Sequence, residues 1–175
     1  PASCAAIGEM GYNFVTLGAR EHAKACLDGF RGGVAKRNGK PGLDASFPGG
    51  MAEGINRHIV IADTDEKALE IAKPAYRRYH TSLAKLWREN KVQGPAIVKD
   101  TMADVSAGME NGSVIVGSVD TVGEELERQI DMLGLNYLIC DFYFGDISHG
   151  DAIGSLDRFT SSIMPKLSQM DAAAQ

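Results

Sequence analysis

The chain has no basic excess. Its 175 residues carry 18 lysines and arginines against 23 aspartates and glutamates, a net charge of −5, whereas nucleic-acid-binding domains carry a basic footprint. No apolar run approaches the ~20 residues that span a bilayer, which argues against a membrane protein. The N-terminus has no basic segment followed by an apolar core, so no secretory signal is read there. Pro1 fits either removal of an initiator methionine or a trimmed chain. There are only three cysteines, Cys4, Cys26 and Cys140, an odd number with no CxxC and no Cys/His metal spacing. They are expected to be reduced thiols, buried as small apolar groups in a cytoplasmic protein without a metal site. A GxSxG elbow, a GxGxxG after a strand and Walker spacing are all missing, which removes the usual support for a serine hydrolase, a Rossmann domain and a P-loop.

What is present is an alternation of helix and strand patterns. The clearest unit is "VDTVGEELERQIDMLGLNYLICDFYFGD", residues 119–146. Ser118 or Asp120 can cap a helix, and Thr121 and Glu124 have capping-box spacing. Val122, Leu126, Ile130 and Leu133 form one stripe, with Glu124, Glu125, Arg128 and Asp131 largely outside it. Gly134 suits the left-handed C′ position. Tyr137 to Phe142 then reads as a strand buried on both faces, as in a parallel sheet. Looser copies surround this unit. "ASCAAIGEM" (2–10) is helix-compatible and stopped by Gly11, "NFVTL" (13–17) is a strand, and "GAREHAKACLDGF" (18–30) is a helix with Ala19, Ala23, Cys26 and Phe30 on one side. "RHIVIA" (57–62) is a strand, and Asp63 or Thr64 caps a long helix over 65–90 that Pro74 should bend or divide. Tyr76, Tyr79 and Trp87 on that helix read as core or interface. Segments 31–56 and 91–117 read as loop or partly helical insertion, with a short helix near Val34 and turn signals at Gly94-Pro95 and Asn111-Gly112. A last helix carries Ala152, Leu156, Phe159, Ile163 and Leu167 on one stripe, and the tail 168–175 should fray.

The order predicts one α/β domain over 1–175 with a parallel sheet. Only three good strands are visible, whereas a closed (β/α)8 barrel takes about 250 residues and eight strands. The chain starts on a helix, as though the strand before it had been cut away.

Three segments together resemble the bacterial luciferase-like flavin-dependent monooxygenases. "PASCAAIGEMGYNFVTLG" is similar to the stretch after their fifth barrel strand, and "INRHIVIADTDEKALEIAKPAYRRY" to their seventh strand and its helix. "VGSVDTVGEELERQIDMLGLNYLICDFYFGD" with "SLDRFTSSIMPKL" is similar to their last strand and terminal helix. The resemblance implies a partial (β/α)8 TIM barrel, the C-terminal half with about three parallel strands. Such a half leaves unpaired strand edges and an open apolar interior. A second copy, a separately encoded N-terminal half or rearranged local elements must cover them, and a homo-oligomer is the favoured expectation. The implied activity is a flavin-dependent oxidoreductase, a monooxygenase using reduced FMN or another reduced flavin-type cofactor, dioxygen and a small organic substrate. A separate flavin reductase would supply the reduced cofactor. As a truncated or fragment chain, it would leave most catalytic groups in the missing half. The alternatives are a non-catalytic binding or assembly module derived from that barrel and, with less support, a small hydrolase-like enzyme using Asp146 and His149.

The resemblance places Ser3, with the neighbouring helix-start N–H of Cys4, where the flavin phosphate binds. Unpaired helix-start N–H groups, the helix dipole and a hydroxyl donor suit that role, although Ser3 also reads as a plain helix cap. "DFYFGDISHG" (141–150) lies past a strand's C-terminal end, the functional face of such barrels. Asp141, Asp146 and His149 there are candidates for acid–base work, set against a helix-capping role for Asp146 or Ser148 and an exposed first-turn position for His149. His22, His58 and His80 show no partner spacing. The basic run "RGGVAKRNGK" (31–40) could meet a phosphate or an acidic substrate, or be a solvated loop.

Overall fold

A computed structural model describes residues 2–44, 46–47, 50–94 and 104–173, with side chains as far as 168. Its elements are α1 (Ala2–Met10), β1 (Phe14–Thr16), α2 (Arg20–Ala35), β2 (Glu53–Ile61), α3 (Asp65–Leu83), α4 (Lys85–Glu89), α5 (Val105–Glu110), β3 (Val114–Gly117), α6 (Val119–Leu133), β4 (Tyr137–Asp141) and α7 (His149–Arg158). A π-helical turn (Phe159–Ile163) then leads into α8 (Met164–Ala173).

All four strands belong to one sheet, and every pairing is parallel. β2 is the axis. Gly54 and Ile55 pair with both β1 and β4, and His58 pairs with both β3 and β4. A strand has two edges, so β1 and β3 follow one another along one edge of β2 while β4 takes the other. The passages β1 to β2 and β3 to β4 therefore cross the sheet in one direction, and β2 to β3 crosses back. Right-handed crossovers then put α2 and α6 on one face and α3 on the opposite face.

The side chains follow that arrangement. Ile55, Ile59 and Ile61 of β2 point to the outer face. There they meet Ala23, Leu27 and Phe30 of α2, Val122 and Leu126 of α6, and Phe159 and Ile163 of the terminal helix. Val60 points to the inner face, where Val114 and Val116 of β3 pack with Ala68, Ala72, Ala75 and Tyr76 of α3. Helical cover of the inner face is confined to the C-terminal ends of the strands. Farther down, Tyr137 and Ile139 of β4 keep 40% and 37% of their surface exposed. They stand beside Gly54 and Asn56 of β2. The far edge of β4 pairs with no strand among the described residues. The fold is thus the expected α/β half barrel, with its interior open on one side.

Several local expectations change in detail. β4 is partly exposed rather than buried on both faces: Leu138 and Cys140 join the outer core, while on the inner face Ile139 and Tyr137 stay exposed, Tyr137 with Phe47 edge-on against it at 5.6 Å. β3 was hidden in the 91–117 insertion as a Val-Ile-Val run too short to distinguish from a buried turn; residues 95–103, Pro95 of the turn signal included, lie outside the described set. The 31–56 loop shortens at both ends. α2 continues through Gly32 and Gly33 to Ala35, and β2 begins at Glu53. α3 passes Pro74 without ending, with Pro74 on its exposed side. The division comes ten residues later, at Ala84. The terminal helix runs to Ala173. Ser118 is the N-cap of α6, accepting from the Thr121 N–H, and Gly134 ends the helix at φ 62°.

Candidate functional site

The inner face near the strand C-terminal ends holds a cluster that the sequence did not reveal. His58 of β2 and Asp141, the last residue of β4, are register partners. His58 Nδ1 lies 3.1 Å from Asp141 Oδ2, at ion-pair distance, although the N–H does not align as a hydrogen bond. The imidazole is sandwiched. Tyr79 of α3 meets it edge-on with centroids 4.4 Å apart, and Phe144 lies tilted against it at 4.6 Å. Its side chain retains 14% exposure, against 36% for Asp141. Burial lowers the His58 pKa, Asp141 pulls it back up, and the neighbouring Arg57 charge lowers it again. Burial, with the Asp141 charge nearby, raises the Tyr79 pKa. The net effect is a lowered pKa, so burial disfavours the imidazolium and Asp141 partly offsets that.

Arg57, one residue earlier, points to the outer face and is fully buried. Its Nε donates to Gln129 Oε1 at 2.8 Å and one amino group donates to the Asn56 carbonyl at 2.9 Å. The other amino group has no partner among the described residues, and burial holds the pKa down to about 10. Its bonds tie β2 to α6 and do not reach the inner face.

The residues expected from sequence are spread over several places. Ser3 is exposed in the first turn of α1, and the Cys4 thiol is buried against α2. The Lys36 ammonium and the Arg37 guanidinium at the end of α2 contact Glu9 at the end of α1. α1 therefore runs alongside α2, and its N-terminus points the way the strands' C-terminal ends do. Asp146 and His149 are both exposed and make no bond to each other. Ser148 caps α7, accepting from the Asp151 N–H at 3.1 Å. Asp141 is drawn to His58 instead of to either of them. His22 is exposed, with Nε2 3.5 Å from the Cys26 sulfur.

The basic run is taken up by structure. Arg31 donates at 2.7 Å to both the Leu133 and Gly134 carbonyls and pairs with Glu53 at 2.5 Å, satisfying the C-terminal carbonyls of α6. Arg37 does the same for the Glu9 carbonyl of α1, at 2.7 Å. The three cysteines are free thiols. Among the described residues no cluster suits a metal ion, and no helix is long and apolar enough to cross a membrane. A groove of about 660 Å³ lies on the outer side of β4, between Ile130 and Leu135 and the terminal-helix residues Phe159 and Leu167. Leu138 and Cys140 form its floor, and burial pushes the Cys140 thiol up to about 12, so it is no nucleophile.

The pair of residues 58 and 141 escaped sequence reading because 83 positions separate them. Only the register of β2 against β4 brings them level, and an isolated histidine in an apolar run carries no mark of its partner.

No family model matches the chain. Uncharacterized protein y4wF of Sinorhizobium fredii is 25% identical over 157 residues, covering 90% of this chain and 43% of that protein. The monooxygenase RslO1 from Streptomyces bottropensis superposes with a TM-score of 0.72 at 16% identity, over 95% of this chain and 45% of its own. The oxygenating constituent of 3,6-diketocamphane monooxygenase from Pseudomonas putida, a type II Baeyer–Villiger monooxygenase solved with FMN, gives 0.68 at 18% identity, over 94% and 45%. The chain spans less than half the length of these relatives.

Proposed function

We propose that this chain is the C-terminal half of a luciferase-like, flavin-dependent oxidoreductase that oxygenates a small organic substrate. The observation that carries this reading is the open inner face of the sheet, ending at a β4 edge that pairs with no strand among the described residues, on a chain that superposes on part of a monooxygenase solved with FMN. An isoalloxazine ring needs a flat, apolar surface, and Tyr137 and Ile139 offer one. A phosphate needs unpaired N–H groups and a hydroxyl. The first turn of α1 supplies these through the exposed Ser3 and the Cys4 N–H. The first turn of α1 thus offers donors, and the inner face an apolar surface, of the kinds FMN needs.

When bound in its reduced form, FMN would supply the activation of dioxygen, and a separate reductase would deliver it. The chain's own contribution is to bind and orient the ring, to anchor the phosphate and to exclude water from the inner face. Asp146 and His149 remain secondary candidates for proton handling at the rim of α7. Either an N-terminal half or a second copy covers the open edge, and the assembly is cytoplasmic.

The test is an FMN fluorescence titration of the 175-residue chain, alone and coexpressed with any coding sequence upstream of Pro1. Saturable quenching supports the reading, alone or only with the upstream half. No quenching in either form rejects it and leaves a barrel-derived binding module.

A further inference from the structure

The His58–Asp141 pair is more than a satisfied core histidine. A structural histidine has its ring nitrogens bonded to fixed partners, whereas Nδ1 here is buried, close to a carboxylate and outside hydrogen-bond alignment. The side chain keeps 14% of its surface although Nδ1 is buried. Tyr79 and Phe144 fix the ring plane from two sides. Beside it on the same face stand Asn56 and the exposed Ile139.

We propose that His58 and Asp141 form a proton-transfer dyad on the inner face, with His58 the base that meets an organic ligand bearing an acidic hydroxyl, a phenol or an enol. Asp141 is its positioning residue. In the step, the ligand O–H bond breaks and an N–H bond forms on His58 Nε2. The electron pair stays on the ligand oxygen, and the Asp141 side chain, 3.1 Å from His58 Nδ1, faces the imidazolium that forms. The ligand class follows from the surroundings. A ligand that arrives as a neutral hydroxyl meets no charge repulsion from Asp141, its own charge appears only together with the imidazolium, and the aromatic walls favour a flat apolar body. The groups facing the ring are Asp141 from β4 and Tyr79 from α3, with Arg57 behind it on β2. This inference needs no flavin, so it survives or fails apart from the proposed function.

The probe is 4-nitrophenol, added below its own pKa to the full chain, with the phenolate absorbance band as the readout. The native protein should bind it partly as phenolate. His58→Gln should abolish the bound phenolate, and Asp141→Asn should lower its ratio to phenol, since Asp141 raises the His58 pKa. The His58 ring signal in NMR provides a second measure that does not depend on the Gln variant folding. Its titration midpoint should fall in Asp141→Asn. The proposal is overturned if the native chain binds no 4-nitrophenol at millimolar concentration. An unchanged phenolate fraction in a folded His58→Gln variant, or an unmoved His58 midpoint in Asp141→Asn, also overturns it.

Discussion

Gly32 and Gly33 are neighbours in α2, and alanine at the two positions should act with opposite signs. A methyl at 32 meets nothing within 4 Å and sits on exposed surface. Removing a glycine from an exposed helix interior is worth about 0.5–1 kcal/mol. A methyl at 33 would stand 1.9 Å from the Ala5 carbonyl oxygen, 2.7 Å from its carbon and 2.9 Å from the Glu9 nitrogen. All three are backbone atoms of α1, so no side chain can rotate away. Gly8 makes the reciprocal contact, with a methyl there 2.2 Å from the Phe30 carbonyl oxygen. The two helices touch backbone to backbone, and Gly33→Ala must push α1 outward. Overpacking of this kind costs about 2–3 kcal/mol, at the upper part of its usual range because backbone yields poorly. Less about 1 kcal/mol of helix propensity, the net loss is about 1–2 kcal/mol. For a chain of this length each kcal/mol moves Tm by about 2–4 °C. Gly32→Ala should therefore raise Tm by ~1–4 °C and Gly33→Ala lower it by ~2–8 °C, read by calorimetry with urea titration alongside. Equal or greater stability in Gly33→Ala, or shifts of the same sign in both variants, would refute the close α1–α2 packing.

Arg31→Ala strips the α6 C-terminal carbonyls of their donor and should lower stability by about 1–3 kcal/mol in urea unfolding. Leu126→Ala empties a fully buried position between α6 and the sheet and should cost about 2–5 kcal/mol in the same assay. The His58 pKa lies below its ordinary 6.5, so as the medium acidifies the unfolded chain takes up that proton first. Stability from neutral His58 is whole above about pH 6.5 and is lost as pH falls through the folded-state value. In a pH series of urea midpoints, His58→Gln should flatten that part of the curve, and an unaltered slope would contradict the buried neutral imidazole. Ser3→Ala should weaken FMN binding about fivefold, the loss of one ~1 kcal/mol hydrogen bond; an unchanged Kd would move the phosphate elsewhere.

Where a pattern was local, the sequence made it legible. The α6 cap, stripe and glycine stop at Ser118, Leu126 and Gly134 were all readable because each depends on residues within a turn or two. The parallel direction of β1, β2 and β4 followed from the alternation of helices and strands. What failed to read was set by contacts between distant segments. Gly32 and Gly33 looked like a helix end, and Gly33 is instead the surface on which α1 rests. Gly54 looked like loop, yet it lies between Val15 and Tyr137 in the middle of the sheet. The run holding Arg31 and Arg37 read as either a solvated loop or a contact for a phosphate or acidic substrate, and both are helix-terminal donors to partners up to 103 positions away. His58 and Asp141 were each visible, but their register was not.

The account places a flavin on the inner face of the sheet, with its phosphate at the start of α1, and amide hydrogen exchange with and without FMN tests that placement most directly. Added FMN should slow exchange in residues 2–5 and 137–141 and leave the outer groove's walls, residues 130–135 of α6 and its end and 159–168 of the terminal helix, unchanged. Slowing confined to that groove, or none at 137–141, would contradict it.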